Sequence, residues 1–444
     1  MKHGLNTDEA SIEKRSSFLL PALLQSVFLR CSISGYVLLA LLTAVAPAVA
    51  GDWPQILGPS RNGQAAEDEK LSQQWPAGGP KVEWTYNLGA GYAGPAVVDG
   101  KVIVFHRQND QEVVEAVDAR TGKSLWKTPF EANYRGGIDA NMGPRCVPLV
   151  QDGRVFVFGA DGDLHSVELA TGKRRWSRSL YEDYRADRGY FGAGSTPIIV
   201  DGVLLVNVGG RGAGLVGLDP ATGKTIWQKT DEDASYASPT SLKINGQPQA
   251  LFVTRYTALL VDPKSGDTHA PIRFGQRGPT VNAATPIIVG NDLFLTASYG
   301  VGAWMGRIDK AGLRKTWAND ESLSSQYATP VVHQGHLYGT HGREDVGVAE
   351  LRCVELATGN VKWTEEGFGV AHPLLVGDTL LLQSVDGRLT LAAANPEKYD
   401  ERATASLANE PTRALPALSN GRLYTRTTPA SGGKLMCVRV DSYQ

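Results

Sequence analysis

From residue 95 onward, short apolar runs recur along the chain. Each is opened by a proline, followed by a glycine-bearing turn, and answered by a second apolar run. The prolines are Pro95, Pro148, Pro197, Pro239, Pro286, Pro330, Pro373 and Pro416, spaced 53, 49, 42, 47, 44, 43 and 43 residues apart. Runs that are apolar throughout, or that alternate with period two, predict strands buried between other sheets. Asp-Gly or Asn-Gly at 99–100, 152–153, 201–202, 245–246 and 420–421 supplies the positive-φ residues of tight hairpins. A second landmark follows in four of the units: an acidic residue, then Thr-Gly, then Trp four residues after the Gly. The pairs are Gly122 and Trp126, Gly172 and Trp176, Gly223 and Trp227, Gly359 and Trp363. Degraded copies end at Ala270 and Trp317.

Eight units of this length predict four-stranded blades in a radial ring, so the expected fold is an all-β, eight-bladed β-propeller. One four-stranded sheet cannot cover both of its faces, whereas eight closed on one another can. The tryptophans Trp126, Trp176, Trp227, Trp317 and Trp363 are expected on outer strands, docked between neighbouring blades. The last unit ends without such a strand, while Lys81 to Leu88, carrying Trp84, is a Trp strand with no blade of its own. It is therefore expected to complete the eighth blade and seal the ring, removing an open edge. The expected organisation is a leader over 1–50, an N-terminal extension over 51–80 lying across one face or the rim, and a single propeller over 81–444.

Composition adds location and limits partners. Net charge is −2, from 44 basic and 46 acidic residues, which excludes a generic polyanion binder, so no nucleic-acid partner is expected. The apolar run from Tyr36 to Val45, followed by Ala48 and Ala50 in an A-x-A pattern, reads as a signal peptide cut after Ala50. The alternative is an uncleaved anchor, the only membrane attachment expected. Export to the periplasm or cell envelope implies an oxidising compartment. Cys146, Cys353 and Cys437 would remain, an odd number in separate blades, and are expected to be buried free thiols.

The Asp-x-x-Thr-Gly-Lys-x-x-Trp unit resembles the tryptophan docking motif of quinoprotein propellers. From Asp52 onward the chain resembles exported PQQ-binding-like β-propeller repeat proteins. That family has two branches: pyrroloquinoline-quinone alcohol and sugar dehydrogenases, and non-catalytic scaffolds such as the propeller lipoprotein of the outer-membrane barrel-assembly machine. The enzymatic branch implies a quinone over an adjacent Cys-Cys disulfide, a Trp floor and a Ca²⁺ held by carboxylate and amide oxygens. This sequence has no adjacent cysteine pair and no Cys-x-x-Cys-His. Trp304, off the docking phase, is more simply an ordinary packed Trp. A scaffold or binding module without cofactor is therefore expected, with a dehydrogenase using PQQ and Ca²⁺ as the alternative.

Candidate binding chemistry follows from ring geometry. Residues just before the repeat prolines should crowd the mouth of the axial channel. They include Tyr92, Arg145, Tyr190, Ser195, Tyr236, Ser238, Asn282, Thr285, Gln326, Tyr327 and His372, with Arg255 at a strand end in the fourth unit. Arginine and tyrosine converging on a funnel suit a carboxylate, sugar or peptide, or an envelope protein. No catalytic residue and no metal ligand is expected.

Overall fold

The computed structural model describes residues 51–278, 281–309 and 312–441; the expected leader lies outside them. Eight four-stranded antiparallel sheets follow one another. The blades span 96–131, 149–179, 198–229, 240–273, 287–319, 331–365, 371–406 and 417–439, and only Leu180–Asp183 is helical among the described residues. Val82–Asn87 pairs antiparallel with Lys434–Arg439, so the first strand of the chain is the outer strand of the eighth blade. The ring is sealed as the sequence predicts.

Burial explains the strand patterns. The two middle strands of each blade lie between sheets on both sides, and Val203–Gly210 and Ala213–Leu218 are buried nearly throughout. Outer strands face solvent on alternate residues, as in Ser124–Glu131. The hairpin residues Asp99, Asp152, Asp201, Asn245 and Asn420 all have φ near +50°, each followed by a positive-φ glycine, as the two-residue turns require.

The docking tryptophans bind blade to blade by one repeated device. Each indole Nε1 donates to a carbonyl oxygen of the next blade: Trp84 to Ala119, Trp126 to Leu169, Trp176 to Pro220, Trp227 to Pro263, Trp317 to Leu356 and Trp363 to Asn395, at 2.8–3.1 Å. Except at Trp363, the ring lies on the turn glycine of that blade; a Cβ on Gly172 would meet Trp126 at 2.4 Å. A β-bulge precedes each of these tryptophans. Ala116 pairs with Trp126 but Val117 with Ser124, so Leu125 is skipped and turned outward. That is why Leu125 and Ile226 are exposed although apolar. Cys353 and Cys437 are the cross-strand partners of Trp363 and Trp84, and with Cys146 they are buried and free.

The extension enters the ring rather than resting on its rim. Trp53 exchanges two backbone hydrogen bonds with Val97, and Pro54 accepts from the Val150 amide at 2.8 Å. Ile56 and Leu57 pack against Val147 and Leu415 at the axis. Ala65 donates to Leu375, Gln64 to the Val332 carbonyl, and Ser72 to Val440. The Gly421 amide donates to Glu69. Residues 52–72 thus touch blades 1, 2, 6, 7 and 8 on the face that carries the first hairpin turns, where Asp52 accepts from the Asp99 amide.

Candidate functional site

With one mouth occupied by the extension, the opposite mouth is the candidate site. The innermost strands start there, so the residue three before each repeat proline sits at its floor. Around the ring this register reads Tyr92, Arg145, Gly194, Tyr236, Ala283, Tyr327, Val370 and Arg413. Gly194 is small for a reason: a Cβ there would meet the Tyr236 ring at 2.0 Å.

Two halves of this floor differ in charge balance. On the side of blades 6, 8 and 1, the cation is neutralised. Arg413 Nε and Nη2 both donate to Glu344 Oε1, at 2.9 and 2.7 Å. Burial opposes charge on Arg413, but the hydrogen bond and attraction of Glu344 outweigh it and raise its pKa. Tyr327 donates to Glu344 Oε2 at 2.5 Å, and Tyr92 to Asp139 at 2.7 Å. Gln326 donates to Tyr299 and Asp345 and accepts from the Glu344 amide. Burial, then Asp139, pushes the Tyr92 phenol up to about 12. These phenols remain neutral donors.

On the side of blades 2 to 4 the cations are not neutralised. Arg145 donates to the carbonyls of Asn141 and Gly143. Its guanidinium lies 5.7 Å from the Tyr92 ring centre and 5.1 Å from that of Tyr134. Arg255 donates to the Gly278 carbonyl and lies 5.5 Å from the rings of both Tyr190 and Tyr256. Neither forms an ion pair among the described residues. Tyr236 stands within electrostatic reach of both. Burial pushes its phenol up to about 12, while Arg145 and Arg255 pull the other way. Its hydroxyl accepts from the Phe191 amide at 2.8 Å, which leaves the O–H free to donate elsewhere.

Five of the expected mouth residues lie in the seams between blades instead. Ser195, Ser238, Asn282, Thr285 and His372 are buried and stitch blades together. The Thr196 amide donates to Ser238 Oγ, the Val147 amide to Thr196 Oγ1, and the Thr285 amide to Thr329 Oγ1. Ser195 donates to the Ala237 carbonyl, and Asn282 to the carbonyls of Thr254 and Phe274. His372 Nε2 donates to the Arg413 carbonyl at 2.9 Å. One or two residues before the proline, a side chain points into the seam between blades; three before, it reaches the mouth. Arg413 stands at the same register as Arg145, so its position three before Pro416 was a usable signal. Glu344, Asp139 and Tyr134 lie on loops outside that register.

Arg61 closes the other end. It is 2% exposed and donates to Pro239, Pro197 and Thr196 carbonyls, with Nε on Gln55. Burial lowers its pKa to about 9, still above neutral, so the guanidinium is charged. The Pro197 and Pro239 carbonyls begin the innermost strands, which sets this charge below the floor of the funnel. A hollow of about 670 Å³ beneath the extension, lined by Glu69, His333 and Asp378, lies on the opposite face. One of about 410 Å³ adjoins Glu344.

The described residues do not bring together the cysteine pair, Trp floor and free carboxylates that the resemblance implied for a quinone and Ca²⁺ seat. Cys353 and Cys437 are committed to Trp seams, and Cys146 lies in the blade 2 core. Trp304 is buried with Phe274 and Leu295 between blades 4 and 5, not at the mouth. The nearby carboxylates, Asp139 and Glu344, serve Tyr92, Tyr327 and Arg413. Among the described residues no three His, Cys, Asp or Glu side chains converge as a metal cluster, and no helix is long and apolar enough to cross a membrane.

Known proteins fall on both branches. The outer membrane protein assembly factor BamB of Burkholderia pseudomallei is 22% identical over 355 residues, covering 68% of this chain and 85% of that protein. Quinohemoprotein alcohol dehydrogenase ADH-IIG of Pseudomonas putida is 31% identical over 155 residues, covering 33% of this chain and 21% of the enzyme's own length. Among solved structures, BamB from Moraxella catarrhalis superposes with a TM-score of 0.60 at 16% identity, covering 82% of this chain and 98% of that one. Quinohemoprotein alcohol dehydrogenase from Comamonas testosteroni gives 0.64 at 14% identity, covering 90% and 82%. These two likenesses show the propeller fold. A family model described as outer membrane protein assembly factor BamB matches residues 69–183 and 109–365, and the chain belongs to that family of PQQ-like propeller repeats.

Proposed function

We propose that this protein is a non-catalytic binding propeller of the cell envelope that engages a ligand or partner at its axial funnel. The observation that carries the reading is Arg145, a guanidinium held between two tyrosine rings and bonded only to backbone carbonyls. A ring plugged at one mouth and cationic at the other offers a single seat for an anionic group. Two further facts support binding over oxidation. No adjacent cysteine pair occurs in the sequence, and the sequence similarity to BamB runs along most of that protein, whereas the sequence match to dehydrogenase ADH-IIG covers a fifth of that enzyme.

Incubation of the purified protein with PQQ and Ca²⁺, read by absorbance and by dye-linked alcohol and sugar oxidation, tests this. Neither saturable PQQ binding nor turnover is expected. Saturable binding with turnover overturns the reading in favour of a dehydrogenase with a divergent cofactor seat.

A further inference from the structure

The two halves of the funnel differ in a way that specifies ligand chemistry. Arg413 is spent on Glu344, but Arg145 and Arg255 make only carbonyl hydrogen bonds. Arg61 adds a third guanidinium below them with no carboxylate partner. This half therefore holds guanidiniums with no bonded carboxylate, partly withdrawn from water, where attraction for an anion is stronger than at an open surface; Asp139, Asp161 and Glu112 are the acidic groups within electrostatic reach.

Its walls are aromatic. Tyr190 is 40% exposed, presents a ring face beside Arg255, and neighbours Phe191, with centroids 6.4 Å apart. Phe191 meets Tyr236 edge to face at 5.7 Å. The Tyr134 hydroxyl is buried without a hydrogen-bond partner among the described residues, and its ring backs Arg145. A guanidinium binds a carboxylate through paired N–H donors. An aromatic face offers a flat apolar platform, and a phenol at its edge offers a donor. A ligand that uses all three presents carboxylates, flat C–H faces and hydroxyls on one compact frame.

We infer, resting on the binding reading above, that the funnel ligand is an acidic saccharide whose uronate carboxylates sit on Arg145 and Arg255 and whose ring faces lie along Tyr190 and Tyr236. An acidic peptide would satisfy the arginines and leave the platform idle. A neutral sugar would do the reverse, leaving both guanidiniums without an anion.

Calorimetric titration with trigalacturonate, its fully methyl-esterified form and hexaglutamate separates these chemistries. Trigalacturonate is expected to bind, with weakening by added salt, and the ester and the peptide to bind at least tenfold more weakly. Arg145→Gln and Arg255→Gln should each lower trigalacturonate affinity at least tenfold, with an intermediate loss for Arg145→Lys, which keeps the charge but not the fork. Lys398→Gln, exposed on blade 7, should change nothing. Thermal unfolding of each variant checks its fold. Equal binding of the ester, equal binding of hexaglutamate, or no binding of trigalacturonate overturns the saccharide inference. If hexaglutamate binding still falls in Arg145→Gln, the funnel reading survives that failure. If neither anion responds to Arg145 or Arg255, the funnel reading falls as well.

Discussion

Arg61, carried into the axis by the N-terminal extension, donates to the carbonyl oxygen of Pro239 at 2.8 Å. The same nitrogen, Nη1, also reaches the Thr196 carbonyl, and Nη2 the Pro197 carbonyl, so one side chain from the head of the chain joins blades 3 and 4. The same segment pairs with blades 1 and 7. The extension is therefore a plug that occupies one end of the ring.

Removing that guanidinium leaves buried carbonyls without a donor, a defect that costs about 3 kcal/mol. Arg61→Met should lower the urea midpoint accordingly, and Arg61→Lys, with one charged group for several acceptors, should recover only part. An unchanged midpoint in Arg61→Met would show that the plug does not hold the ring.

The Trp seams should be energetically coupled pairs. Trp126 lies on Gly172, whose φ is +72°, and donates to the Leu169 carbonyl. Trp126→Ala should cost about 3–5 kcal/mol, and Gly172→Ala should also destabilise, since its Cβ would collide with the ring. The double variant should lose less than the sum. Additive losses in denaturant titrations would mean that the two residues do not act as one joint.

Glu344 sets the charge of one half of the funnel. Glu344→Gln should free Arg413 and tighten trigalacturonate binding by about fivefold, the scale of one partly exposed ion pair. Weaker binding would place the ligand against Glu344 rather than on the arginines.

Two buried groups should give pH dependences of opposite sign. Burial lowers His372 to about 4 from 6.5. The unfolded chain then takes up a proton that the folded one refuses, and stability is lost as pH falls from 6.5 to 4. Burial raises Glu112 to about 7 from 4.5. The folded chain keeps a proton that the unfolded one releases, and stability is lost as pH rises from 4.5 to 7. His372→Gln should remove an acid loss on the order of 3 kcal/mol, and Glu112→Gln an equal loss toward neutral pH. Unfolding free energies from pH 4 to 8 that are parallel for wild type and both variants would contradict these assignments.

The ring was legible because each blade repeats a local code. The Asp-Gly and Asn-Gly turns state their own backbone angles, and an orphan Trp strand at Lys81 to Leu88 matched a last unit lacking one. The bulge before each docking Trp left no such mark. Leu125 and Ile226 are apolar with no local sign of exposure, and only the pairing of Ala116 with Trp126 and Val117 with Ser124 turns Leu125 out.

For the funnel, proximity to the prolines was the right region at the wrong resolution. Tyr92, Arg145, Tyr236 and Tyr327 stand three residues before them and reach the floor. Ser195, Ser238 and His372 stand one or two before and vanish into seams, where they bond backbone groups across the neighbouring blade joints.

By itself the chain determined the number of blades, their order and the strand that seals them, since periodicity and turn chemistry are local and each unit carries its own copy. Only the tertiary structure decided which mouth is plugged and which arginines are left without a carboxylate. Both depend on residues far apart in sequence, Arg61 with Pro239 and Glu344 with Arg413, that meet only once the ring has closed.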